Sequence, residues 1–155
     1  SEPWYYEQLN LGLNYRLTDI QAALGLSQMK RLDSFICKRR EIAKRYDLSL
    51  SKLPVRLPAQ AEDIDSSWHL YVIRVNKDSH RAIFEFLRNN GVGVNLHYIP
   101  VYKHPYYTSL GFKKDYCTEA EKYYSEAISI PIYSKLTFDE QDFVVQTLKT
   151  AIDNQ

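Results

Sequence analysis

Asn14, Tyr15 and Arg16 are consecutive, and Thr18 follows two residues later. Together they place an amide, a phenol and a guanidinium in one small volume ahead of a helix start. Such groups grip an anionic oxygen, phosphate above all, because charge-assisted and forked hydrogen bonds favour it. The competing reading is a loop whose polar side chains only satisfy backbone groups. Thr18 is a good N-cap, and Asp19 and Gln21 fall in the first turn, where acidic and acceptor groups suit the helix dipole.

Other chemistry-bearing patterns have plainer readings. Gly91-x-Gly93 lacks the third glycine and the following helix of a dinucleotide fingerprint, so it reads as a helix cap and a strand start. His69, His80, His97 and His104 never fall at zinc-ligand spacing, and no metal site is expected. No Gly-x-Ser-x-Gly elbow or Cys/His pairing points to a nucleophile. Two cysteines, Cys37 and Cys117, form neither a disulfide framework nor a metal pair, which suits a reducing, cytoplasmic setting. A formal net charge of +1 gives no reason to expect nucleic acid or an anionic membrane as partner. Lys30-Arg31 and Lys38-Arg39-Arg40 read as a solvated helix face. No apolar run approaches a membrane span, and no signal peptide opens the chain. Hydrophobic residues at 45% and charged residues at 25% describe a globular chain. Thirteen tyrosines are many for 155 residues, and amphipathic rings often line clefts and interfaces.

The elements that must position these groups are legible from periodicity. Residues 4–7 suit a short strand. From Thr18 to about Ser51 apolar residues recur at helical steps, with a phase slip near Gly25-Leu26-Ser27 where a kink or break is expected. Pro54 and Pro58 end that region, and 59–67 read as a polar loop. Leu70–Val75 is a strand, and Ser79–Asn89 a short helix with Ile83, Phe84 and Leu87 inward. Gly91 suits a left-handed helix end. Val92–His97 reads as a second strand, Thr118–Ile128 as a helix, and Ile130-Pro131-Ile132 as a third strand. Thr137-Phe138-Asp139-Glu140 is a capping box that opens a last helix. The order argues an α+β fold, a short small sheet covered by helices behind a long N-terminal helix.

Three blocks carry a family resemblance: Pro3-Trp4-Tyr5-Tyr6-Glu7-Gln8 with Leu11-Gly12 and Asn14 to Gln28; Trp68-His69-Leu70-Tyr71 with Gly91 to Val101 and Pro105-Tyr106-Tyr107; and Ser129-Ile130-Pro131-Ile132 before a final helix. In this order they resemble the pyridoxal-phosphate-dependent sugar aminotransferases of the DegT/DnrJ/EryC1/StrS family, across essentially all 155 residues. The opening block looks closest to the branch that aminates a UDP-linked 4-keto-hexose on the way to pseudaminic acid. The resemblance implies that residues 1–155 are one C-terminal small domain of a fold-type I transferase, with the cofactor-binding large domain upstream. It implies amino transfer, with glutamate as donor, onto C4 of a nucleotide-linked 4-keto-6-deoxy-hexose, in a homodimer whose active site lies at the interface.

Carried over residue by residue, the resemblance has Asn14 hydrogen-bond the pyridoxal 5'-phosphate of the partner subunit, with Arg16 adding charge nearby. Tyr15 would either pack or face substrate. His97 and Tyr98 would face the sugar nucleotide or the cleft wall, and a core or capping role for His97 is the other reading. Family members often read Pro-Val-His before two residues and Pro-Tyr-Tyr. Here Tyr102 takes the histidine position and His104 comes two residues later, so His104 is a candidate stand-in for that substrate contact. The lysine whose amine captures the cofactor aldehyde sits, in the family, in a Ser-His-x-x-Lys-like stretch of the large domain. Nothing here matches it, and no catalytic residue is expected in this chain, which alone should be inactive. Two further readings are a non-catalytic dimerisation, lid or sugar-nucleotide-binding module, and a lysine-lacking dehydratase relative within the family.

Overall fold

The computed structural model describes residues 7, 9–13, 15–113 and 115–155. The chain divides into two compact units, residues 1–32 and 33–155.

The first unit is built on one helix, α1 (Asp19–Met29). Thr18 caps it as the sequence indicates: its hydroxyl accepts from the Gln21 amide, and the Gln21 side chain returns a bond to the Thr18 amide at 3.0 Å. None of the helix is buried, and Ile20, Leu24, Leu26 and Met29 stay largely exposed. The expected break near Gly25 does not occur. A helical glycine costs only about 1 kcal/mol, and α1 runs through it to end at Lys30, where the Arg31 amide turns back to the Gln28 carbonyl. In the segment expected as a strand, residues 4–6 lie outside the described residues, and Glu7 has no strand geometry.

The second unit holds the core. From α2 (Leu32–Leu50), Ile42, Tyr46 and Leu50 point inward at four-residue steps with Ala43 beside them. The two-stranded sheet pairs β1 (Tyr71–Arg74) antiparallel with β2 (Ala127–Ile130), and Ile73 stands opposite Ile128. Between them come α3 (His80–Asn89), a 3-10 turn (Val101–Lys103), α4 (Pro105–Ser109) and α5 (Thr118–Glu126). The last helix, α6 (Phe138–Asp153), opens on the expected capping box of Thr137 and Glu140. It buries Val144, Leu148 and Ala151. Gln141 and Thr147 are the polar residues in that face, and Gln141 is fully buried. Its Nε2 donates to the Ile42 carbonyl at 2.9 Å and its Oε1 accepts from Arg45 at 3.3 Å, so burial leaves neither end unmet.

Two strand expectations need correction. Val92–His97 forms a single bridge, Asn95 to Ser129, rather than a strand. Neither neighbour of that bridge extends it: Pro131 has no amide to donate, and the Ala127 carbonyl meets the His80 ring at 2.9 Å instead. The strand expected at 130–132 lies instead at Ala127–Ile130, and α5 stops two residues early. Ala127 and Ile128 are fully buried, so packing against the core overrides the helical pattern, and Pro131 has no amide to continue the ladder. Gly91 behaves as expected. With φ +81° it ends α3 in a Schellman turn, its own amide bonding Arg88 and that of Val92 bonding Leu87.

Candidate functional site

Inside the second unit a cleft of about 490 Å³ opens between the sheet and α6. Its floor is Ile130, Pro131 and Ile132, just after β2, with Gly91 and Gly93 alongside. The helix α2 fixes that floor from behind. Tyr46 donates its hydroxyl to the Pro131 carbonyl at 2.9 Å, and burial pushes the phenol's pKa up, which keeps it a donor. Arg39 Nη1 meets the carbonyls of Trp68, His69 and Ile132 at 2.9, 3.1 and 3.0 Å. That brace joins the chain entering β1 to the chain leaving β2, and it includes Trp68, whose φ of 50° turns the backbone toward the strand.

His97 lines the cleft. Its Nδ1 lies 2.8 Å from the Oγ of Ser129, a buried residue of β2 held by the Asn95 bridge. A ring nitrogen tied to a fixed hydroxyl sets how the imidazole faces the cleft. Tyr98 follows across a cis peptide, 72% exposed, with its ring edge-on to His97 at 4.7 Å between centroids. On the opposite wall, Glu140 Oε2 takes the Thr137 amide at 2.8 Å and its hydroxyl at 3.0 Å. These bonds hold its carboxyl below the usual range, with Tyr133 adding a weaker contact. A carboxylate with a lowered folded pKa stabilises fully above its unfolded value and loses that contribution as pH falls through the folded one. Melting temperature is therefore expected to drop on acidification below about pH 4.5. A Glu140→Gln variant should show a flatter fall over the same window, and an identical pH profile would sink the assignment.

His104 lies elsewhere. It is exposed, precedes α4, and gives its carbonyl to the Thr108 amide and hydroxyl. It does not line the His97 cleft. Tyr102 also turns away from that cleft, toward α5. Tyr15 and Arg16 belong to the first unit and are exposed; Asn14 lies outside the described residues. Sequence reasoning gave no role to Asn95, Ser129, Tyr133 or Glu140 in a cleft. The signal available was that Ser129 and His69 sit in the blocks that carry the family resemblance.

The donor sets of the two units differ. The cleft is lined by no lysine or arginine, and its titratable groups are His69, His97, Tyr133 and Glu140. A phosphate dianion does not fit there, whereas an uncharged hydroxylated ring does. The exposed guanidinium of Arg16 is the group that suits a phosphate. Among the described residues no cluster could hold a metal ion, and no helix is long and apolar enough to cross a membrane.

A small α+β unit with these features is the fold of the corresponding part of solved fold-type I aminotransferases. A putative sugar aminotransferase of Streptococcus pneumoniae superposes with a TM-score of 0.89 at 30% identity, over 97% of this chain and 39% of that one. It has been solved with pyridoxal phosphate and with the pyridoxamine form. Helicobacter pylori PseC, an aminotransferase in the biosynthesis of pseudoaminic acid, superposes at 0.87 and 28% identity, over 100% of this chain and 43% of that one. The chain belongs to the DegT/DnrJ/EryC1/StrS aminotransferase family, matched over residues 2–149. Its relatives include a UDP-4-amino-4,6-dideoxy-N-acetyl-beta-L-altrosamine transaminase of Campylobacter jejuni, 34% identical over 97% of this chain and 41% of the relative. The spore coat polysaccharide biosynthesis protein SpsC of Bacillus subtilis is also 34% identical, over 96% of this chain and 40% of the relative. The chain thus spans about 40% of the length of these curated relatives.

Proposed function

We propose that these residues are the C-terminal small domain of a pyridoxal-phosphate-dependent aminotransferase that moves an amino group from glutamate onto C4 of a nucleotide-linked 4-keto-6-deoxy-hexose. The observation that carries this reading is the 34% identity to the Campylobacter jejuni transaminase across 97% of the chain. The bound cofactor supplies the electron sink that lets an amino group leave one carbon and join another. Asn14 and Arg16 hold its phosphate, the guanidinium by paired charged bonds. His97, oriented by Ser129, and the exposed ring of Tyr98 form the wall against which the sugar lies. With no lysine or arginine among its described lining residues and the Glu140 carboxylate on one wall, the cleft accepts hydroxyls and disfavours a second phosphate. The proton-shuttling lysine belongs to the upstream domain.

The reading also explains the apolar surface of the first unit. Leu9, Leu11, Leu13, Leu17, Ile20, Leu24 and Met29 are each more than 60% exposed. A stripe of that length calls for a partner surface, which the large domain and the second subunit of a homodimer provide.

The test is product analysis. A full-length protein carrying these residues, given the cofactor, glutamate and a UDP-linked 4-keto-6-deoxy-hexose, is expected to form the 4-amino sugar and 2-oxoglutarate. The 155-residue chain alone should form neither. Absence of product from the full-length protein, or turnover by the short chain, would overturn the reading.

A further inference from the structure

The segment from Tyr98 to Tyr116 carries the densest group of aromatic rings in the second unit. Tyr106 meets Tyr107 edge-on at 5.3 Å, Tyr107 meets Phe112 at 6.1 Å, Phe112 meets Tyr116 at 6.0 Å, and Tyr116 meets Tyr102 at 5.8 Å. Two short helices cannot hold such a segment by their own hydrogen bonds. Its polar ties to α5 converge on one carboxylate, Glu121, while the Lys103 ammonium also lies 5.8 Å from the Tyr124 ring centre. Oε2 takes the Lys103 ammonium at 2.8 Å, and Oε1 takes the Asp115 amide at 2.8 Å and stands 3.1 Å from the Tyr102 hydroxyl. That hydroxyl is equally 3.1 Å from the Cys117 carbonyl, so its proton serves either acceptor. The side chains of Lys103 and Glu121 are only 25% and 20% exposed, so water competes poorly for the ion pair. Residues 102–103, four positions beyond Tyr98, and Asp115, next to Tyr116, are thereby drawn to one point on α5.

We propose that Glu121 is the positioning residue of this site: it fixes the aromatic segment that carries Tyr98, and Tyr102 serves that strut rather than the substrate. The proposal deepens the reading of the cleft as a nucleotide-sugar site and rests on it. It accounts for the departure from the family pattern, in which Tyr102 replaces a histidine. The longer phenol reaches across to α5, where a carboxylate receives it.

Two variants of the full-length protein test it. Glu121→Gln keeps an oxygen for the Asp115 amide and the Tyr102 hydroxyl but loses the ion pair, and Glu121→Ala loses all three. Hydrogen exchange by mass spectrometry is expected to rise over residues 110–117 in Glu121→Ala, less in Glu121→Gln, and to stay unchanged in α6. KM for the keto-sugar nucleotide should rise about tenfold in Glu121→Ala, with kcat within about twofold and KM for glutamate unaltered. Tyr102→Phe should follow the same pattern more weakly. Unchanged exchange, an unmoved sugar KM, an equal rise in both KM values, or a kcat loss in Tyr102→Phe would overturn the proposal. If the wild-type protein transaminates no nucleotide sugar, the functional reading fails on its own, and the exchange result still decides whether Glu121 is the strut.

Discussion

Ile73→Ala is expected to destabilise the second unit by about 2–5 kcal/mol, because truncating a buried aliphatic side chain adds a cavity to the lost transfer energy. Ile73 is fully buried at the centre of β1, opposite Ile128, so the cavity has nowhere to drain. A domain holds only about 5–15 kcal/mol in total, so such a loss removes a substantial share of it. Ile73→Val should cost only about 0.5–1.5 kcal/mol. Leu24→Ala in α1 is the control. Leu24 is 62% exposed, and its truncation in the 155-residue chain should stay within about 0.5 kcal/mol of zero. Urea unfolding of the three variants measures the differences. Equal costs at Leu24 and Ile73 would mean that the apolar face of α1 is buried after all.

That contrast separates what the sequence exposes from what it hides. Helix starts were legible because capping is local chemistry: Thr18 with Gln21, and Thr137 with Glu140, each close a reciprocal pair three residues apart. Gly91 was legible for the same reason, since only its backbone can take the positive φ that ends α3. The strands were less so. Whether Ala127 and Ile128 continue a helix or enter a sheet is decided by Ile73 and Arg74 across the ladder, more than fifty residues away. The ladder at Asn95 stops because Pro131 has no amide and the Ala127 carbonyl meets His80, partners that a β-rich pattern does not register.

The candidate site divides along the same line. The residue types were readable: a histidine and a tyrosine in series, an arginine ahead of a helix. Their settings were not. Ser129 orients His97 from 32 positions away, and Glu121 collects Tyr102, Lys103 and Asp115 from two separate places in the chain. His104, the expected stand-in for the family's histidine, stands before α4 and outside the His97 cleft.

Asn14→Ala in the full-length protein is expected to weaken pyridoxal phosphate binding by about tenfold to a hundredfold, the equivalent of losing one hydrogen bond to a charged phosphate, about 1.5–3 kcal/mol. Asn14 stands two residues from the exposed guanidinium of Arg16 and four before the capped start of α1. Arg16→Ala should act in the same direction, and Tyr15→Phe should do less, since it removes only a hydroxyl. The two roles open to Asn14 predict different measurements. A phosphate ligand affects cofactor affinity and leaves the melting temperature of the cofactor-free protein in place. A loop-stabilising residue lowers that melting temperature and leaves affinity alone. Titrating the cofactor against each variant by fluorescence, beside melts of the cofactor-free protein, separates them. Unchanged affinity with a lowered melting temperature would remove Asn14 from the cofactor site and leave Arg16 as its one candidate in this chain.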